Sequence, residues 1–253
     1  MATSAHALEL QSVTRDFGAL RAVDHVTMTV APGERRAVIG PNGAGKTTLF
    51  NLITGELPLT NGKVVLLGRD ISRMPAHKRV ALGLGRTFQI TNVFPGLTVE
   101  ENVFLAAQGL ERIKLNFIRA MPRGGEIRGR AAKALEDAGL LEKRDAVTKE
   151  LSHGEQRQLE IALALALQPK LLMLDEPAAG LSTAERATMA DLVRSLPRDL
   201  TILLIEHDMD LALGLADHVT CLHYGRVIAD NVPDGIAANR EVQDCYLGVS
   251  KYA

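Results

Sequence analysis

The stretch Gly40-Pro41-Asn42-Gly43-Ala44-Gly45-Lys46-Thr47 decides the fold that we predict for this chain. It fits the pattern G-x-x-x-x-G-K-[ST], in which backbone N–H groups, a lysine and a hydroxyl surround phosphate groups. The apolar residues 37–39 before it are typical of a buried strand, and residues 48–53 after it predict a helix that Gly55 ends. A strand, this turn and a helix in that order predict a phosphate-binding loop.

Each residue type in the loop has a physical role in binding phosphate. Gly43 and Gly45 let the backbone turn its N–H groups inward, and the helix N-terminus adds the positive end of a dipole. We expect Lys46 to reach the β- and γ-phosphates of a nucleotide and Thr47 to face a magnesium ion. The alternative is a glycine-rich turn between strand and helix that binds nothing.

Composition places the chain among ordinary globular proteins. Its 253 residues are 46% hydrophobic and 23% charged, which is enough to bury a substantial core, and disorder is not expected. Lys+Arg 29 against Asp+Glu 30 gives a net charge of −1, so no global basic excess indicates nucleic acid or an anionic membrane as a partner.

Cysteine use and hydropathy bear on the compartment. The chain has only two cysteines, Cys221 and Cys245, and their spacing is not that of a metal site. With so few cysteines no disulfide framework is expected, which indicates a reducing compartment. Residues 1–7 lack the pattern of a secretory signal. The most apolar segment, residues 161–167, is far shorter than the ~20 residues of a membrane-spanning helix. Any role at a membrane is therefore expected to depend on a partner.

Alternating patterns on both sides of the loop predict an antiparallel sheet. Residues 8–14 and 23–30 alternate as strands. Residues 59–63 are predicted as a hairpin turn, with residues 64–67 as the returning strand. Phe17, between the first two strands, could stack on a purine ring or fill the core.

Between residues 98 and 167 the periodicity becomes helical. Helices are predicted at residues 98–109, 124–139 and 154–167, the first with a capping-box start at Thr98, and together they form a lobe inserted into an α/β core. A basic stretch in this lobe is typical of a solvated face, with a membrane-proximal or nucleic-acid surface as the alternative. Its residues are Arg112, Lys114, Arg119, Arg123, Arg128 and Arg130.

Paired carboxylates follow the next predicted strand. Residues 171–174 are an apolar strand that ends in Asp175 and Glu176, and open α/β sheets bind ligands at the carboxyl ends of their strands. Asp175 could hold magnesium through water, and Glu176 could orient or deprotonate an attacking water. The alternative is a pair of exposed loop acids.

Two further strands end in polar residues. The strand at residues 201–205 ends in Glu206-His207-Asp208, where His207 could contact a γ-phosphate or be structural. The strand at about residues 83–89 ends in Gln89, whose amide oxygen could bind a metal or face solvent. Helices near residues 76–82 and 184–196, a hairpin at residues 219–229 and an amphipathic tail complete the pattern.

These motifs, in this order, resemble the ATP-binding subunits of ABC transporters, and the resemblance covers nearly the whole chain. The most discriminating element is Leu151-Ser152-His153-Gly154-Glu155-Gln156, which is similar to the L-S-G-G-Q signature of that family. By this resemblance Phe17 is the adenine-stacking aromatic, Gln89 the Q-loop glutamine and His207 the switch histidine. Asp175 then matches the Walker B aspartate, and the residue after it matches the catalytic glutamate.

The resemblance implies a full set of site residues. The catalytic residues are Glu176, His207 and Lys46. The nucleotide-binding residues are Phe17, Gly40, Pro41, Asn42, Gly43, Ala44, Gly45, Lys46, Thr47, Thr48, Gln89 and Asp175. Thr47, Gln89 and Asp175 hold Mg²⁺, partly through water. The signature residues, which reach the ATP of an opposite subunit, are Ser152, His153, Gly154 and Glu155.

The fold implied is a single ABC ATPase domain over residues 1–253. It has an α/β phosphate-loop NTPase core with an N-terminal antiparallel β subdomain, built from residues 1–89 and 168–253. Residues 90–167 form an inserted helical subdomain that carries the signature segment.

A closer resemblance concerns the solute. Gly85-Arg86-Thr87-Phe88-Gln89, followed by residues 93–103, is similar to one of the paired ATPases of branched-chain amino-acid importers, the LivG type, and the tail Tyr246-Leu247-Gly248 agrees. This implies ATP hydrolysis, with Mg²⁺, coupled to uptake of branched-chain or related amino acids. Relatives in this group import urea or aromatic acids, so the solute stays open.

The resemblance also implies partners and a location. They are a second ABC ATPase subunit, in a homodimer or heterodimer, two membrane permeases and an extracytoplasmic solute-binding protein, with no nucleic acid. Each ATP lies between the phosphate loop of one ATPase subunit and the signature helix of the other. The chain is then a peripheral protein on the cytoplasmic face of the inner membrane.

Three residues depart from the common pattern of the family. His153 replaces a glycine and Glu155 a glutamine of the signature, and Ser182 replaces the aspartate of the D-loop, Ala179-Gly180-Leu181-Ser182.

One alternative function is a non-transport ABC ATPase, but such relatives carry tandem domains, coiled-coil inserts or cysteine clusters. The other is a phosphate-loop kinase, against which the signature segment and His207 argue.

Overall fold

The computed structural model describes residues 6–87, 93–109 and 124–247. The chain divides into two compact units. The sheet unit comprises Met1–Leu84, Lys170–Glu176 and Pro197–Ala253, and the helical unit comprises Gly85–Pro169 and Pro177–Leu196. The predicted subdomain boundaries at residues 90 and 167 stay predictions, and the packing groups residues 177–196, predicted within the core, with the helical unit.

Strands and helices are interspersed along the described chain, with three strands before the first helix and three α-helices in succession after the sixth strand. The strands are β1 (Leu8–Phe17), β2 (Leu20–Val30), β3 (Arg35–Ile39), β4 (Asn61–Leu66), β5 (Arg69–Asp70), β6 (Leu84–Arg86), β7 (Leu171–Asp175), β8 (Thr201–Ile205), β9 (His218–His223) and β10 (Arg226–Asn231). The helices are α1 (Lys46–Thr54), α2 (Ala76–Ala81), α3 (Val99–Gln108), α4 (Gly124–Asp137), α5 (His153–Leu165), α6 (Thr183–Ser195), α7 (Met209–Leu215), α8 (Pro233–Ala237) and α9 (Arg240–Leu247).

An antiparallel sheet has the strand order β2-β1-β4-β5. The predicted strands are confirmed, but the predicted hairpin turn at residues 59–63 is wrong. Asn61 and Gly62 belong to β4, which pairs with β1, and the register shifts between Gln11 and Thr14 of β1. Gly62 has φ 91°, and a Cβ on it would lie 2.4 Å from the carbonyl oxygen of Ser12. The glycine therefore serves a bulge rather than a turn.

The second sheet has the order β10-β9-β3-β8-β7, with Leu84 of β6 at its far edge. The strands β3, β8 and β7 run parallel, and all of their residues are buried. Strands covered on both faces read as continuous apolar runs, which explains why the sequence predicted them. The hairpin predicted at residues 219–229 is confirmed as antiparallel β9 and β10.

One apolar core fills the sheet unit. Phe50 and Leu49 of α1 are among its fully buried side chains, together with Leu8 and Leu10 of β1 and Leu66 of β4. Burying a leucine or phenylalanine side chain contributes about 1.5–3 kcal/mol, so this packing fixes α1 against the sheets from its inner face. The position of α1 matters because the phosphate loop leads directly into it.

The helical unit packs α3, α4 and α5 against one another. Val103, Leu135 and Leu159, one from each helix, are fully buried. The predicted helices and the capping box at Thr98 are confirmed, with α5 beginning at His153 rather than at residue 154. The cap at Thr98 fixes where α3 begins, as the sequence pattern predicted.

The predicted basic stretch is only partly described. Arg112, Lys114, Arg119 and Arg123 lie outside the described residues. Arg128 is exposed on α4, and Arg130 donates to the Ala107 carbonyl over 3.3 Å. Arg130 therefore ties α4 to the last turn of α3.

Both cysteines, Cys221 on β9 and Cys245 on α9, are buried and free. Burial raises the pKa of the Cys221 thiol to about 12, so the group is a neutral core residue. None of the helices in the described ranges combines the length and the hydropathy needed to cross a bilayer.

Candidate functional site

The phosphate loop connects the carboxyl end of β3 to α1. Gly40, Gly43 and Gly45 have φ values of 150°, 80° and 100°, a backbone region that other residues rarely adopt. A Cβ on Gly45 would lie 2.4 Å from the carbonyl oxygen of Ala22 on β2. Backbone conformation and close packing therefore both require glycine at this position.

A second glycine packs against the same carbonyl oxygen. A Cβ on Gly225, in the turn between β9 and β10, would lie 2.7 Å from the Ala22 oxygen. The Gly225 N–H also donates to the carbonyl of Ala44 in the loop over 2.9 Å. The strand β2 and the β9–β10 turn thus hold the loop in place.

The N-terminus of α1 is open to an anion. Its N-cap is Gly45, which has no side chain to cap the helix, and its first turn contains no acidic residue. The first N–H groups of a helix lack partners within the helix, and the helix dipole makes this end positive. Thr47 is exposed and Thr48 half-buried, while Asn42 and Gly43 of the loop are also exposed.

The opposite end of α1 is closed by a buried arginine. Nη1 of Arg79, on α2, donates to the carbonyls of Leu52 over 2.8 Å and Ile53 over 2.7 Å, and Nε donates to Met74 over 2.8 Å. A cation at a helix C-terminus interacts favourably with the dipole and satisfies carbonyls that have no partner in the helix. Arg79 thereby fixes α1 from the end that faces away from the loop.

The side chain of Lys46 folds over the loop. Its Nζ donates to the carbonyl of Gly40 over 2.5 Å and to that of Pro41 over 3.2 Å. Burial lowers the pKa of Lys46, and the negative charges of Glu176 and Asp175 oppose that shift. The ammonium group therefore stands where the loop and the acidic strand ends meet.

The parallel register places several strand ends at one edge. Val38 of β3 pairs with Ile205 of β8, which pairs with Asp175 of β7. The Glu176 N–H donates to the Ile205 carbonyl over 2.9 Å, and the Glu206 N–H faces the Val38 carbonyl over 3.3 Å. Residues just after these strands therefore emerge side by side with the phosphate loop, as the sequence predicted.

Glu176 and His207 lie close together at this edge. The Nδ1 atom of His207 is 3.8 Å from Oε1 of Glu176 and 3.9 Å from Oε2 of Glu206. Glu176 has φ 46°, an uncommon conformation outside glycine that turns the chain sharply after the buried strand. A carboxylate and an imidazole at this separation can share a proton through a small movement or a water.

Glu206 is a site residue that the sequence analysis did not single out. Its side chain is completely buried beside the phosphate-loop lysine, whose positive charge it helps to stabilise, whereas the side chain of His207 is 54% exposed. The available signal was the same as for Asp175, an acid directly after an apolar strand. Asp208, two residues after Glu206, caps α7 by accepting from the Leu211 N–H over 3.1 Å.

Of the predicted site residues Phe17 and Gln89, the structure describes only Phe17. Phe17 is the last residue of β1 and is 43% exposed, so it is not a core side chain. The guanidinium carbon of Arg15 lies 4.5 Å from the centre of its ring, which leaves the ring accessible from other directions. Gln89 lies outside the described residues, and its predicted role stays a prediction.

The signature segment begins α5 in the helical unit. Ser152 is the N-cap, its Oγ accepts from the Glu155 N–H over 3.2 Å, and Oε2 of Glu155 accepts from the Ser152 N–H over 2.8 Å. The bond from the Ser152 N–H and the cation of Lys143 hold the pKa of Glu155 below its usual value. Ser152 and His153 are exposed and Gly154 is half-buried, so the start of α5 can be approached.

The structure thus brings the predicted residues together in two groups. In the sheet unit, the loop, Lys46, Asp175, Glu176 and His207 share one sheet edge, with Phe17 at the end of β1. In the helical unit, the four signature residues share one helix N-terminus. The first arrangement can bind and polarise a phosphate ester, and the second can donate to an anion.

Comparison with known sequences identifies a family. The family model described as ABC transporter matches residues 23–179. The high-affinity branched-chain amino acid transport ATP-binding protein BraF of Pseudomonas aeruginosa is 38% identical over 250 residues, covering 95% of this chain and 97% of the relative. The protein with the corresponding name from Escherichia coli K12, LivG, is 37% identical over the same coverage of both chains.

Solved structures of ABC transporter cassettes have a fold similar to that of this chain. The ADP conformation of MJ1267, an ATP-binding cassette of an ABC transporter, has a TM-score of 0.85 at 31% identity and covers 96% of this chain and 99% of that one. A dimeric structure of MJ0796, a bacterial ABC transporter cassette, has a TM-score of 0.74 at 26% identity, covering 89% and 98%. The fold class predicted from the sequence is confirmed.

Proposed function

This chain belongs to the ABC transporter family as one of its ATPases, and we propose that it energises the import of branched-chain or closely related amino acids. The observation that carries the proposal is the shared edge at which the phosphate loop meets Asp175, Glu176 and His207. The solute rests on similarity to BraF and LivG over nearly the full length of both chains.

In the proposed site, the N-terminus of α1 and the loop residues 40–48 hold the phosphates of ATP. Donors and a positive dipole end converge there without a carboxylate in the first turn of α1. Lys46 exchanges its bonds to the loop carbonyls for the β- and γ-phosphates. Phe17 stacks on the adenine, for which its exposed ring is suited.

The residues present fit a magnesium ion. Thr47 supplies an exposed hydroxyl at the start of α1, and Asp175 supplies a carboxylate at the end of β7, both oxygen ligands of the kind Mg²⁺ prefers. Gln89, outside the described residues, is the third proposed ligand. When bound, the ion neutralises charge on the β- and γ-phosphates.

Glu176 is the proposed general base. It follows the buried β7 directly, and its carboxylate is half-buried, so it can hold a water against the phosphate edge. His207 stands 3.8 Å from the Glu176 carboxylate and contacts the γ-phosphate or that water. Both residues are anchored by buried parallel strands, which keeps their positions fixed relative to Lys46.

The site is completed by a second ATPase subunit. Ser152, His153, Gly154 and Glu155 face the ATP held by that subunit, and the pair is a homodimer or a heterodimer. The dimeric form of the related MJ0796 cassette supports this arrangement. Two permeases and an extracytoplasmic binding protein complete the transporter, with this chain peripheral on the cytoplasmic face of the inner membrane and no nucleic acid involved.

The test is the variant Glu176→Gln, which removes the base and keeps the shape. ATP hydrolysis by the assembled transporter is expected to fall by about 10²–10⁴-fold, the usual contribution of a general base. Equilibrium binding of ATP is expected to change by less than about twofold, because no phosphate contact is lost. Hydrolysis and binding are measured on the same preparation.

The control is Glu142→Gln, which changes an exposed glutamate outside the site. It is expected to hydrolyse ATP at the unaltered rate. Hydrolysis at the unaltered rate by Glu176→Gln would contradict the catalytic assignment. Uptake of labelled leucine by proteoliposomes, compared with urea and an aromatic acid, tests the solute.

A further inference from the structure

Three helices of the helical unit begin with the same capping box. Thr98 and Glu101 cap α3, Ser152 and Glu155 cap α5, and Ser182 and Glu185 cap α6. In each box the hydroxyl accepts from the third N–H of the helix, and the glutamate accepts from the N–H of the capping residue. In addition to its own capping box, Glu185 makes a hydrogen bond to a different segment.

Glu185 uses its two carboxylate oxygens on two different segments. Oε2 accepts from the Ser182 N–H over 3.0 Å and from the Ser182 hydroxyl over 2.7 Å. Oε1 accepts from the N–H of Gly154 over 3.3 Å. Gly154 is the second residue of α5, so this carboxylate joins the start of α6 to the start of the signature helix.

The packing between these segments is close. A Cβ on Gly154 would lie 3.0 Å from Oε1 and 3.2 Å from Cγ of Glu185, so glycine lets the carboxylate approach. A Cβ on Gly180 would lie 3.4 Å from Cε1 of His153. Hydrogen bonds from the Ser182 hydroxyl and N–H, and from the Gly154 N–H, hold the pKa of Glu185 below its usual value, so the carboxylate is charged.

Ser182 explains why the contact is available in this chain. Its hydroxyl donates to Glu185 over 2.7 Å while also capping α6. An aspartate at this position, as in many members of the family, has no proton to donate and would place a second negative charge beside the carboxylate. The departure from the common pattern is therefore compatible with a charged Glu185 that reaches Gly154.

We propose that Glu185 is a positioning residue that couples the D-loop, residues 179–182, to the signature segment, residues 151–156, within one subunit. The inference rests on the proposed function, in which the signature segment faces the ATP of a second subunit. Because the two segments are joined before the subunits pair, the start of α5 and the D-loop are already ordered when α5 meets the ATP of the second subunit. Conformational entropy that these segments have lost before pairing is not lost again when the subunits associate.

The direct test is the amide hydrogen of Gly154 in the full chain labelled with ¹⁵N-glycine. In Glu185→Ala, exchange of this hydrogen with solvent is expected to be about tenfold faster, since a hydrogen bond to a charged acceptor is lost. Ser182→Asp should have the same effect. Glu185→Asp, one methylene shorter, should keep the cap on Ser182 and still release Gly154.

The matched control is Glu101→Ala, which removes the same kind of cap carboxylate from α3, where the bond runs to the Thr98 N–H over 2.8 Å. It is expected to lower the melting temperature through the lost cap, as Glu185→Ala does, and to leave Gly154 exchange unchanged. Equal exchange rates in all four variants and the parent would overturn the proposal, whatever the state of pairing.

The functional test uses the Glu176→Gln background, which keeps ATP bound. Adding Glu185→Ala is expected to weaken ATP-driven pairing with the partner ATPase about fivefold to tenfold, measured by analytical ultracentrifugation. ATP binding by the unpaired chain should change by less than about twofold. Glu101→Ala should leave pairing at the parental value.

Faster Gly154 exchange with unchanged pairing would also overturn the proposal, since the two segments would then be joined without consequence. A parental Glu176→Gln chain that does not pair at all with ATP, either with itself or with the second ATPase, would instead contradict the proposed shared site. The Gly154 measurement would still decide whether Glu185 makes its contact.

Discussion

The helices α1 and α5 begin in opposite ways, although both N-termini are proposed to face ATP. The first turn of α1 has a glycine N-cap and no acidic residue. The first turn of α5 has a serine N-cap and Glu155, which accepts from the Ser152 N–H. One helix therefore leaves its donors and its dipole available, and the other neutralises part of its own end.

The difference teaches that the two helix ends suit different tasks. The open end of α1 attracts an anion strongly by itself, but no cap stabilises it. The helix is held in place instead by the packing of its apolar face and by Arg79 at its C-terminus. The capped end of α5 is stable alone and attracts an anion less. A phosphate already held by another subunit suits such a weak, ordered surface.

The largest expected effect concerns the anchor of α1. Replacing Arg79 by methionine keeps much of the volume but leaves the carbonyls of Leu52 and Ile53 without their charged donor. The free energy of unfolding is expected to fall by about 2–3 kcal/mol, which lowers the melting temperature by roughly 4–12 °C for a chain of this size. Calorimetry measures both quantities.

The neighbouring residue on α2 provides the control for Arg79. Lys78 is exposed, and Lys78→Met is expected to change the free energy of unfolding by less than about 0.5 kcal/mol. If the two methionine variants were equally stable, α1 would not depend on Arg79. The comparison with the self-capped α5 would then lose its basis.

A second prediction gives α1 the acid that α5 has. Thr48 occupies the third position of α1, as Glu155 does in α5. Thr48→Glu adds a negative charge near the bound phosphates, and at a separation of about 4 Å this costs about 1 kcal/mol in a water-like dielectric and about 4 kcal/mol at an effective dielectric constant of about 20. The affinity of the unpaired chain for ATP is expected to fall about tenfold, with no loss of melting temperature.

The uncharged isostere separates charge from shape at this position. Thr48→Gln is expected to lower the affinity for ATP less than Thr48→Glu, and the difference should shrink as salt is added. Equal affinities of the two variants at low salt, measured by titration calorimetry, would show that the missing acid is irrelevant to the open end of α1.

The smallest expected effect is at the cap of α5. The folded-state pKa of Glu155 is lowered, so its stabilisation is present above the ordinary glutamate value and is lost as the pH falls through the folded value. Glu155→Gln is expected to cost about 0.5–1 kcal/mol of unfolding free energy at pH 7. Its difference from the unaltered chain should begin to shrink as the solution is acidified below the ordinary pKa of glutamate, 4.5, and should disappear below the lower folded-state pKa.

Urea unfolding at pH 7 and at acid pH measures this difference, and ATP binding by the unpaired chain should not change. A constant gap between Glu155→Gln and the unaltered chain at all pH values would mean that the charge of Glu155 does not stabilise α5. The contrast between the two helix ends would then rest on Ser152 alone.

Much of the fold could be predicted because its signals are local. Buried parallel strands such as β7 and β8 read as apolar runs, and polar residues directly after them marked the sheet edge. The hairpin at residues 59–63 failed because Gly62 looked like a turn residue, whereas its conformation serves the pairing of β4 with the distant β1. Local patterns do not specify which strand a segment joins.

Contacts between distant segments were the part that the sequence could not predict. Nothing in the local pattern links Gly154 to Glu185, which are 31 residues apart, although each capping box is readable by itself. Glu206 was missed because an acid and a histidine both follow β8 and only the packed structure shows that the acid points into the protein.

The carbonyl oxygen of Ala22 has a consequence for how this sequence can change. It packs against Gly45 and Gly225, so segments separated by most of the chain share one atom. Chimaeras that exchange the C-terminal third with a relative will keep a working phosphate loop only when a glycine arrives at position 225. Recombination libraries and ancestral reconstructions of this chain therefore have to inherit the glycines at positions 45 and 225 together, whereas any residue at position 22 supplies the same backbone oxygen.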